Sequence, residues 1–570
     1  MSYFLKKTNL KKGLYLQIYE SVYSSEKGYG VHRSYKPLGY YDDLVKQGIE
    51  DPIAYYKSEI AKMNLEVKKK KASDKTREIT PNSSEKYLGY FPIKNINDSL
   101  GVKKYLDLMQ SVTKLQFNVY SMISALIYSR IVEPCSKSKT YDNVMPKLFE
   151  KNDFTLSQMY SGLKYIGTEY EKIIEIYNSQ VNNLYKFDTT TTYFDCTNFY
   201  FEIDKEDEFR RKGPSKENRK EPIVGLGLLL DSHQIPIGMK LFPGNQSEKP
   251  ELRNIIDNLK SRNNIKGRTI HVADKGLNCS DNITHSLLNG DGYIFSKSVK
   301  QLPQVEKDWI LLKSDYQTVY DNNHEIKYQY KECIDEFPYV VTDINGKKKT
   351  VEIKEKRIIT FNPSLAKKQR YEITRQVEKA SILSASGAKK KEFGDSSKYV
   401  NFVSADKKGQ ETDGKVVTAL NNKKIDHDLA LAGYNLLVTS EIRMSAADIY
   451  NAYHNLWRIE ESFRVMKSQL DARPVYLQKK ETITGHFLIC YLCVLLERIL
   501  QLHILKDQYG VETIFDFFRN FKVAKVSERK YINLARWTPF IEDFTKATEL
   551  PLKTYFLNNT QIKKMLSYRF

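Results

Sequence analysis

The feature that most constrains the fold is a dense run of strand-like segments between residues 190 and 298. Three apolar segments follow one another as hairpins do, and two further segments are each preceded by a helical pattern. Strands in hairpin succession, then helix, strand, helix and strand, predict a mixed α/β sheet. The five predicted strands are 190–201, 221–231, 235–242, 269–274 and 292–298.

Two carboxylates occupy unusual places in this region. Asp195 lies in the middle of a strand otherwise built of Tyr, Phe and Thr, where desolvation makes an unpaired carboxylate costly. Asp274 ends another strand, where side chains open towards the carboxyl edge of an α/β sheet. If the two strands are neighbours, the two carboxylates converge.

A third acidic residue lies on a predicted helix, residues 446–470, which contains no Pro or Gly. Tyr453, Glu460 and Lys467 recur at seven-residue spacing. Because an α-helix drifts by only about 20° in seven residues, the three side chains share one stripe. An amphipathic core helix, with Glu460 paired to Arg464, fits the same pattern.

If Asp195, Asp274 and Glu460 meet, they supply three hard oxygen donors. Such a set suits two Mg²⁺ or Mn²⁺ ions roughly 4 Å apart. One ion would activate water or a 3′-hydroxyl, and the other would stabilise the leaving oxygen of a phosphodiester. No side-chain base with a tuned pKa is needed, because metal-bound water is already acidified.

The charge balance favours a polyanionic partner. The 570 residues include 90 Lys plus Arg and 70 Asp plus Glu, a net charge of +20. Nucleic acid is the simplest such partner, although basic proteins also include membrane-surface binders. Lys216 and Arg219 lie in a basic loop between the first two strands and are candidate phosphate contacts, while a solvated loop fits equally well.

The remaining composition predicts a cytoplasmic protein. The chain has six cysteines and no signal-peptide pattern at its start, which favours a reducing compartment. Its longest uncharged apolar run, residues 487–496, is too short to span a bilayer and predicts a buried helix.

The N-terminal residues predict a small β/α unit. Residues 14–23, 29–35 and 37–41 alternate like short strands, and a helix follows from Pro52 to about residue 62. A three-stranded sheet with one helix fits a DNA-binding module and a generic one equally well.

The whole chain is predicted to be multidomain α/β. Helical spacing in residues 118–131 and 155–184 predicts a helical region before the core, and period-two alternation predicts a β-rich insertion within it. The predicted divisions are 1–65, the β/α unit; 66–95, a basic linker; 96–186, the helical region; 187–304 and 427–505, the two parts of the core; 305–426, the insertion; and 506–570, a C-terminal tail domain.

Several segments resemble bacterial insertion-sequence transposases of the DDE type. YFDCTN carries the similarity around Asp195, and VADKGLNCSDN carries it around Asp274. GPSKENR, GLGLLLD, IPIGMKLFPGN and GHFLICYL are also similar, and RIVEPCSKSK, beginning at Arg130, matches weakly. The resemblance covers about residues 130–500.

Within these transposases the chain is similar to the group that has a Tyr-Arg-Glu-Lys signature. Two residues separate Tyr from Arg, three separate Arg from Glu, and six separate Glu from Lys. Tyr453, Glu460 and Lys467 fit this spacing. Leu456 stands at the arginine position, and Arg458, two residues on, is the nearest arginine that could supply the charge.

The resemblance implies an RNase H-like core flanked by helices, with the β-rich insertion between the second aspartate and the glutamate. It implies Asp195, Asp274 and Glu460 as catalytic metal ligands for two Mg²⁺ or Mn²⁺ ions. It further implies Tyr453 and Lys467 as contacts to the phosphates of the cleaved DNA end.

The implied activity is DNA transposition. Such an enzyme binds the terminal inverted repeats of its element, cleaves them by hydrolysis and joins the 3′ ends to target DNA by transesterification. Two ends must be held together, which implies a dimer on DNA. The alternatives are a tyrosine recombinase, which the absence of any H-x-x-R pattern disfavours, and a noncatalytic DNA-binding protein with a decayed core.

Overall fold

The computed structural model of the chain describes residues 2–24, 29–75, 85–216, 220–262, 265–342, 346–386, 390–403, 417–473, 475–527 and 529–570. The contacts divide the chain into two compact units. The first comprises Met1–Glu85 and Ala524–Ile532, and the second comprises Lys86–Val523 and Asn533–Phe570. The chain is mixed α/β, with one large mixed sheet and many helices, in agreement with the predicted fold class.

The first unit contains a three-stranded antiparallel sheet. Its strands are β1 (Ser2–Leu10), β2 (Gly13–Ser24) and β3 (Tyr29–Tyr40), in the order β1-β2-β3. The sequence analysis did not predict β1, and it divided β3 into two strands at Pro37. Pro37 pairs with Gln17 beside a shift of register, and an edge strand tolerates a proline there.

Two helices follow, α1 (Tyr41–Lys46) and α2 (Pro52–Lys75). Asp51 begins α2, because its carboxylate accepts hydrogen bonds from the amides of Ile53 (2.9 Å) and Ala54 (3.1 Å). The Tyr3 amide donates to Asn64 Oδ1 (2.8 Å), which joins α2 to β1. The helix continues past its predicted end near residue 62, into the stretch predicted as a linker, since residues 63–75 contain neither Pro nor Gly.

A helical region comes next in the chain, and two of its helices begin where the sequence predicts. Asn118 caps the helix predicted at 118–131, and Thr155 forms a capping box with Gln158. The predicted helix 155–184 is instead two helices that meet at Glu169. The elements are β4 (Glu85–Tyr87), α3 (Phe91–Ser99), α4 (Lys103–Ser111), α5 (Val119–Val132), α6 (Lys137–Lys139), a π-helix (Thr140–Val144), a 3₁₀-helix (Met145–Lys147), α7 (Leu156–Thr168) and α8 (Tyr170–Tyr185).

The core of the second unit is a nine-stranded sheet, and it contains all five strands predicted between residues 190 and 298. Its first elements are β5 (Thr191–Tyr200), β6 (Ile223–Leu230), β7 (Pro236–Pro243), α9 (Lys249–Ser261), β8 (Ile270–Ala273), α10 (Ser280–Leu288), β9 (Gly292–Lys297) and α11 (Gln304–Leu311). β6 is antiparallel to both β5 and β7, whereas β8 is parallel to β5 and to β9.

The region predicted as a β-rich insertion adds strands to this same sheet. Its elements are β10 (Gln317–Tyr320), β11 (Ile326–Thr342), β12 (Lys348–Phe361), α12 (Pro363–Ala385), β13 (Val400–Val403), β14 (Val417–Leu420) and α13 (Asn422–Ala430), followed by β15 (Tyr434–Thr439). The strand order is β10-β11-β12-β15-β9-β8-β5-β6-β7. The sequence analysis did not predict α12, a helix of 23 residues that Asn362 caps.

The predicted continuous helix 446–470 is interrupted. Tyr453 lies in α14 (Ala446–His454), Glu460 in α15 (Trp457–Arg464) and Lys467 in a π-helical turn (Val465–Gln469). The amide of Leu456 bonds back to the carbonyl of Tyr453 (3.1 Å), three residues earlier, so the turn tightens between the two helices. The three side chains therefore do not follow the stripe of one straight helix.

The C-terminal part contains the apolar helix α16 and a small mixed tail. Helix α16 ends in a π-helical turn (Ile499–Ile504), and the residues predicted as a tail domain, 506–570, come after it. The elements are α16 (Lys480–Arg498), α17 (Val511–Asn520), β16 (Lys522–Ser527), β17 (Lys530–Asn533), α18 (Pro539–Thr548), β18 (Phe556–Asn558) and α19 (Asn559–Leu566).

Helix α16 with its π-helical end is long and apolar enough to cross a membrane, but 83% of its apolar window is buried inside the protein. The prediction of a buried helix is confirmed. α16 packs against α7 through glycines, and a Cβ atom built on Gly485 would lie 2.2 Å from the Leu163 carbonyl oxygen. The two backbones approach too closely for any larger side chain.

We predict that Gly485→Ala destabilises the second unit by roughly 1–3 kcal/mol, because the added methyl group must push α7 and α16 apart. The midpoint of thermal unfolding, followed by circular dichroism, measures the effect. Gly510→Ala is the matched control, since a Cβ atom there meets no atom within 4 Å. Equal midpoints for the two variants would contradict the proposed close contact.

Candidate active site

Parallel pairing places the two predicted aspartates side by side. In the register of β5 and β8, Phe194 pairs with Ala273, so the next residues on the two strands are Asp195 and Asp274. Adjacent strands lie about 4.8 Å apart, and residues at equal register point to the same face. Asp195 and Asp274 are predicted to converge if their strands are neighbours, and β5 and β8 are neighbours.

Asp195 is largely buried, with 19% of its side chain exposed. Burial raises the pKa of its carboxyl to about 6, and the charges of Asp274 and Glu248 act in the same direction. The Lys216 ammonium, 3.5 Å from Asp195 Oδ1, and the Cys196 amide, 2.7 Å away, oppose this rise. The negative charge at this edge of the sheet is therefore only partly compensated.

Asp274 is joined to helix α14 through Tyr453. The Tyr453 hydroxyl donates to Asp274 Oδ1 (3.3 Å), which also accepts the Lys275 amide (2.6 Å). Burial raises the pKa of Tyr453, and the carboxylates of Asp274 and Glu460 raise it further. The phenol therefore stays protonated and can donate a hydrogen bond at neutral pH.

Glu460 is the least enclosed of the three carboxylates. It is exposed on α15, a helix that packs against β5, and its charge reaches Tyr453. Within the described ranges, no three His, Cys, Asp or Glu side chains are close enough together to form a metal centre. The structure thus brings Asp195 and Asp274 together and leaves Glu460 beside them, outside a compact trio.

The donor set nevertheless fits a divalent cation. Carboxylate oxygens are the ligands that Mg²⁺ and Mn²⁺ prefer. Asp195 and Asp274 present such oxygens at one edge of the sheet, and the raised pKa of Asp195 shows that a nearby cation would stabilise its ionised form.

The predicted phosphate contacts differ in their surroundings. Lys216 lies against Asp195, and its ammonium also lies 3.8 Å from Glu248. The Lys467 ammonium lies 5.6 Å from the centre of the Phe199 ring on β5. Both lysines are thus next to the strand that carries Asp195, whereas Arg219 falls outside the described residues.

Arg458 points to carboxylates of the protein. Its guanidinium donates to Glu461 (3.1 Å) and to Asp507, and it stacks on Trp457 at 4.1 Å. Arg458 was expected to supply the charge of the arginine that the signature lacks at Leu456. Its guanidinium instead donates to these protein carboxylates. Its role as a phosphate contact stays a prediction that these contacts do not favour.

A buried ion pair, which the sequence analysis missed, holds α15 in place. Arg498, completely buried on α16, donates to Glu461 (2.9 Å), the residue after Glu460. Arg498 also donates to Ser462 Oγ (3.3 Å) and Gln501. A signal was present in the sequence, since Glu497 and Arg498 are charged residues at the end of a long apolar run.

A cavity of about 400 Å³ opens beside Asp274. Lys275, Lys297 and Lys300 give it a basic wall. Tyr450 and His454 form an aromatic wall, and their rings stack with a centroid distance of 3.7 Å. This basic and aromatic space next to the carboxylates can accept an anionic, partly planar group.

We predict that Arg498→Met lowers the free energy of unfolding by roughly 2–3 kcal/mol, because it removes one of the two guanidinium groups that donate to the buried Glu461 and leaves only Arg458. Chemical and thermal unfolding midpoints measure the loss. The control is Lys172→Met, which removes an exposed pair with Glu169 and should cost at most about 1 kcal/mol. A loss no larger than that of the control would show that the buried pair does not anchor α15.

We predict that Asp195→Asn stabilises the metal-free protein at pH 7 but not below pH 4. Folding raises the pKa of Asp195 from 3.8 to about 6. The free energy of unfolding therefore falls as pH rises from about 4 to about 6, by up to about 3 kcal/mol. Asn removes that loss, so the two melting curves should separate between pH 4 and pH 6. The exposed Asp153→Asn is the control, and an effect of Asp195→Asn that does not change with pH would contradict the assignment.

Comparison with known proteins adds the family. A family model described as a transposase DDE domain matches residues 188–496. No curated protein matches the chain. The matched region covers more than half of the chain and includes Asp195, Asp274 and Glu460, on the edge of the sheet where the first two carboxylates meet. This chain belongs to the family of transposases that carry the DDE domain.

Proposed function

We propose that the protein is a DNA transposase that binds the inverted repeats of its element, cleaves them by metal-dependent hydrolysis and joins the 3′ ends to target DNA. The observation that carries the proposal is the equal register of Asp195 and Asp274 on parallel strands inside the matched domain. This geometry supplies two adjacent hard carboxylates, as phosphodiester hydrolysis with bound Mg²⁺ requires.

The sheet supports an RNase H-like core. The strands β7, β6 and β5 form two antiparallel pairs, and β8 and β9 continue the sheet parallel to β5. We propose that these five strands are that core and that β15, β12, β11 and β10 extend it. The helices α14 and α15 then bring Tyr453 and Glu460 to the carboxyl end of β8.

We assign Asp195, Asp274 and Glu460 as the metal ligands. Divalent ions bound there would acidify a water or a 3′-hydroxyl and stabilise the leaving oxygen of the phosphodiester. Tyr453, whose phenol is protonated and faces Asp274, would donate a hydrogen bond to a phosphate oxygen of the cleaved end. Lys216 and Lys467 would contribute positive charge beside β5, where the DNA strand must approach Asp195.

The electrostatics support a double-stranded DNA partner. The net charge of +20 favours binding to phosphates, and the lysines of the cavity beside Asp274 place part of that charge at the site. Two element ends have to be cleaved together, so we propose a dimer on DNA and a location in the bacterial cytoplasm at the nucleoid. The family match does not favour a tyrosine recombinase.

We predict that Glu460→Gln retains DNA binding and lowers Mg²⁺-dependent nicking by at least about a hundredfold, since loss of an outer-shell partner of a metal already costs up to that factor. Duplexes carrying the inverted repeats that flank the gene serve as substrate, with binding measured by gel shift. Glu512→Gln, an exposed glutamate on α17, is the matched control.

Nicking by Glu460→Gln at the wild-type rate would remove Glu460 from the site. Cleavage by the wild type that survives EDTA would contradict the metal-dependent mechanism and favour the recombinase. Tight binding of the repeats with no cleavage under any divalent ion would favour a noncatalytic DNA-binding protein.

A further inference from the structure

A second basic cavity lies in the helical part of the second unit. Its volume is about 240 Å³, and it has no wall residue in common with the cavity beside Asp274. Helices α5, α6, α7 and α16 form its walls together with residues 471 and 475–477. The polar and charged side chains that matter here are Arg130, Ser136, Lys137, Tyr160, Asp471 and His486.

Two cations in this wall are buried without an acidic partner. Arg130 is 6% exposed and Lys137 is 7% exposed. Arg130 Nη1 donates to the backbone carbonyls of Leu470 (3.3 Å) and Asp471 (3.5 Å). In the part of the chain that the structure describes, no carboxylate lies within 4.0 Å of a charged nitrogen of Arg130 or Lys137. This holds also for the carboxylate of Asp471, a residue that is exposed.

His486 fixes the position of Lys137 but does not neutralise it. The Lys137 side-chain nitrogen lies 3.1 Å from His486 Nδ1, and because the charged form of Lys137 can only donate, Nδ1 accepts when Lys137 is protonated. The proton of the imidazole is then on Nε2, which lies 3.1 Å from the carbonyl oxygen of Ala472. Burial and the two nearby cations hold the pKa of His486 well below its usual range, so the ring is neutral.

The positive charge of this wall is therefore left for a ligand. Burying an unpaired cation is costly, and burial with the charge of Arg130 lowers the pKa of Lys137 to about 7. An anion that entered the cavity would remove much of that cost. Arg130 Nε and Nη2 have no protein acceptor among the described residues, so donors remain for it.

We propose that this cavity binds a phosphate group, with Arg130 and Lys137 as the charged donors. A guanidinium and an ammonium suit the several acceptor oxygens of a phosphate, and the hydroxyls of Ser136 and Tyr160 line the same space. The volume equals about eight waters at roughly 30 Å³ each, enough for a tetrahedral oxyanion and its hydration. The phosphate comes either from the backbone of bound DNA, a source that rests on the proposed function, or from a free phosphate-bearing molecule.

The position of the cavity gives a bound phosphate a structural consequence. Arg130 holds the carbonyls of Leu470 and Asp471, which directly follow the π-helical turn that carries Lys467. Asp471 adopts φ +45°, the left-handed conformation that ends the turn, and Arg130 holds its carbonyl there. A phosphate on Arg130 would thus fix the end of the π-helical turn that carries Lys467 and follows α15, the helix of Glu460.

The first test measures inorganic phosphate binding to the full chain, by thermal unfolding at constant ionic strength with chloride as the reference anion. Phosphate should raise the midpoint of the wild type, because a ligand of the folded state stabilises it. Lys137→Met keeps the side-chain length and should weaken the apparent phosphate affinity by roughly tenfold or more. Lys139→Met, which changes an exposed lysine two residues on, should respond as the wild type does.

A second variant guards against a folding defect. Arg130→Lys keeps the charge but loses the fork of the guanidinium, so it should fold and also bind phosphate more weakly. No midpoint rise with phosphate in the wild type, or an equal rise in the wild type and Lys137→Met, would overturn the proposal. Neither result depends on whether the protein cleaves DNA.

The second test identifies the source of the phosphate. Fluorescence anisotropy with a labelled DNA duplex gives the dependence of log affinity on log salt, and loss of one phosphate contact lowers that slope by about 0.9. A lower slope for Lys137→Met than for Lys139→Met supports a DNA backbone phosphate. Equal slopes, with phosphate binding intact in the first test, support a free phosphate-bearing molecule in the same cavity.

Discussion

The parallel pairing of β5 with β8 is the constraint on which the chemistry of this chain depends. Phe194 opposite Ala273 brings Asp195 and Asp274 to one edge of the sheet, although they are far apart in the sequence. A slip of one residue would turn one carboxylate to the other face, because strand side chains alternate. The antiparallel hairpin on the other side of β5 keeps that register, since β6 is buried along its whole length.

A second requirement is a fixed position for the helix that carries Glu460. The exposed face of α15 carries Glu460, and the buried face carries Glu461, which Arg498 holds from α16. A buried pair of this kind adds little net stability over an apolar contact, but breaking it by removal of one partner is costly. Adjacent glutamates thus have opposite surroundings: Glu461 is buried against Arg498, and Glu460 is exposed.

The second unit leaves charge uncompensated in two places, with opposite signs. At the sheet edge, Asp195 has a raised pKa beside Asp274, which favours a divalent cation. In the helical part, Arg130 and Lys137 are buried without a carboxylate among the described residues, which favours an anion. The segment after Lys467 links the two places, because Arg130 binds its backbone. The proposed cation and phosphate sites would thereby be linked through the same segment.

The sequence by itself determined the elements whose patterns are local: the five strands between residues 190 and 298, the buried α16 and the unusual placement of Asp195 in an apolar strand. It also supported the family, since short motifs around Asp195 and Asp274 resemble those of DDE transposases and lie within the matched residues 188–496. Only the tertiary structure decided the parallel neighbours, the break between Tyr453 and Glu460, the extension of the sheet by β10 to β12, and the partners of Arg458 and Glu461. These features depend on contacts between residues that are distant in the sequence. The hydrophobic period of a strand (2 residues) or a helix (3.6 residues) shows which face is buried, but not which other element packs against that face.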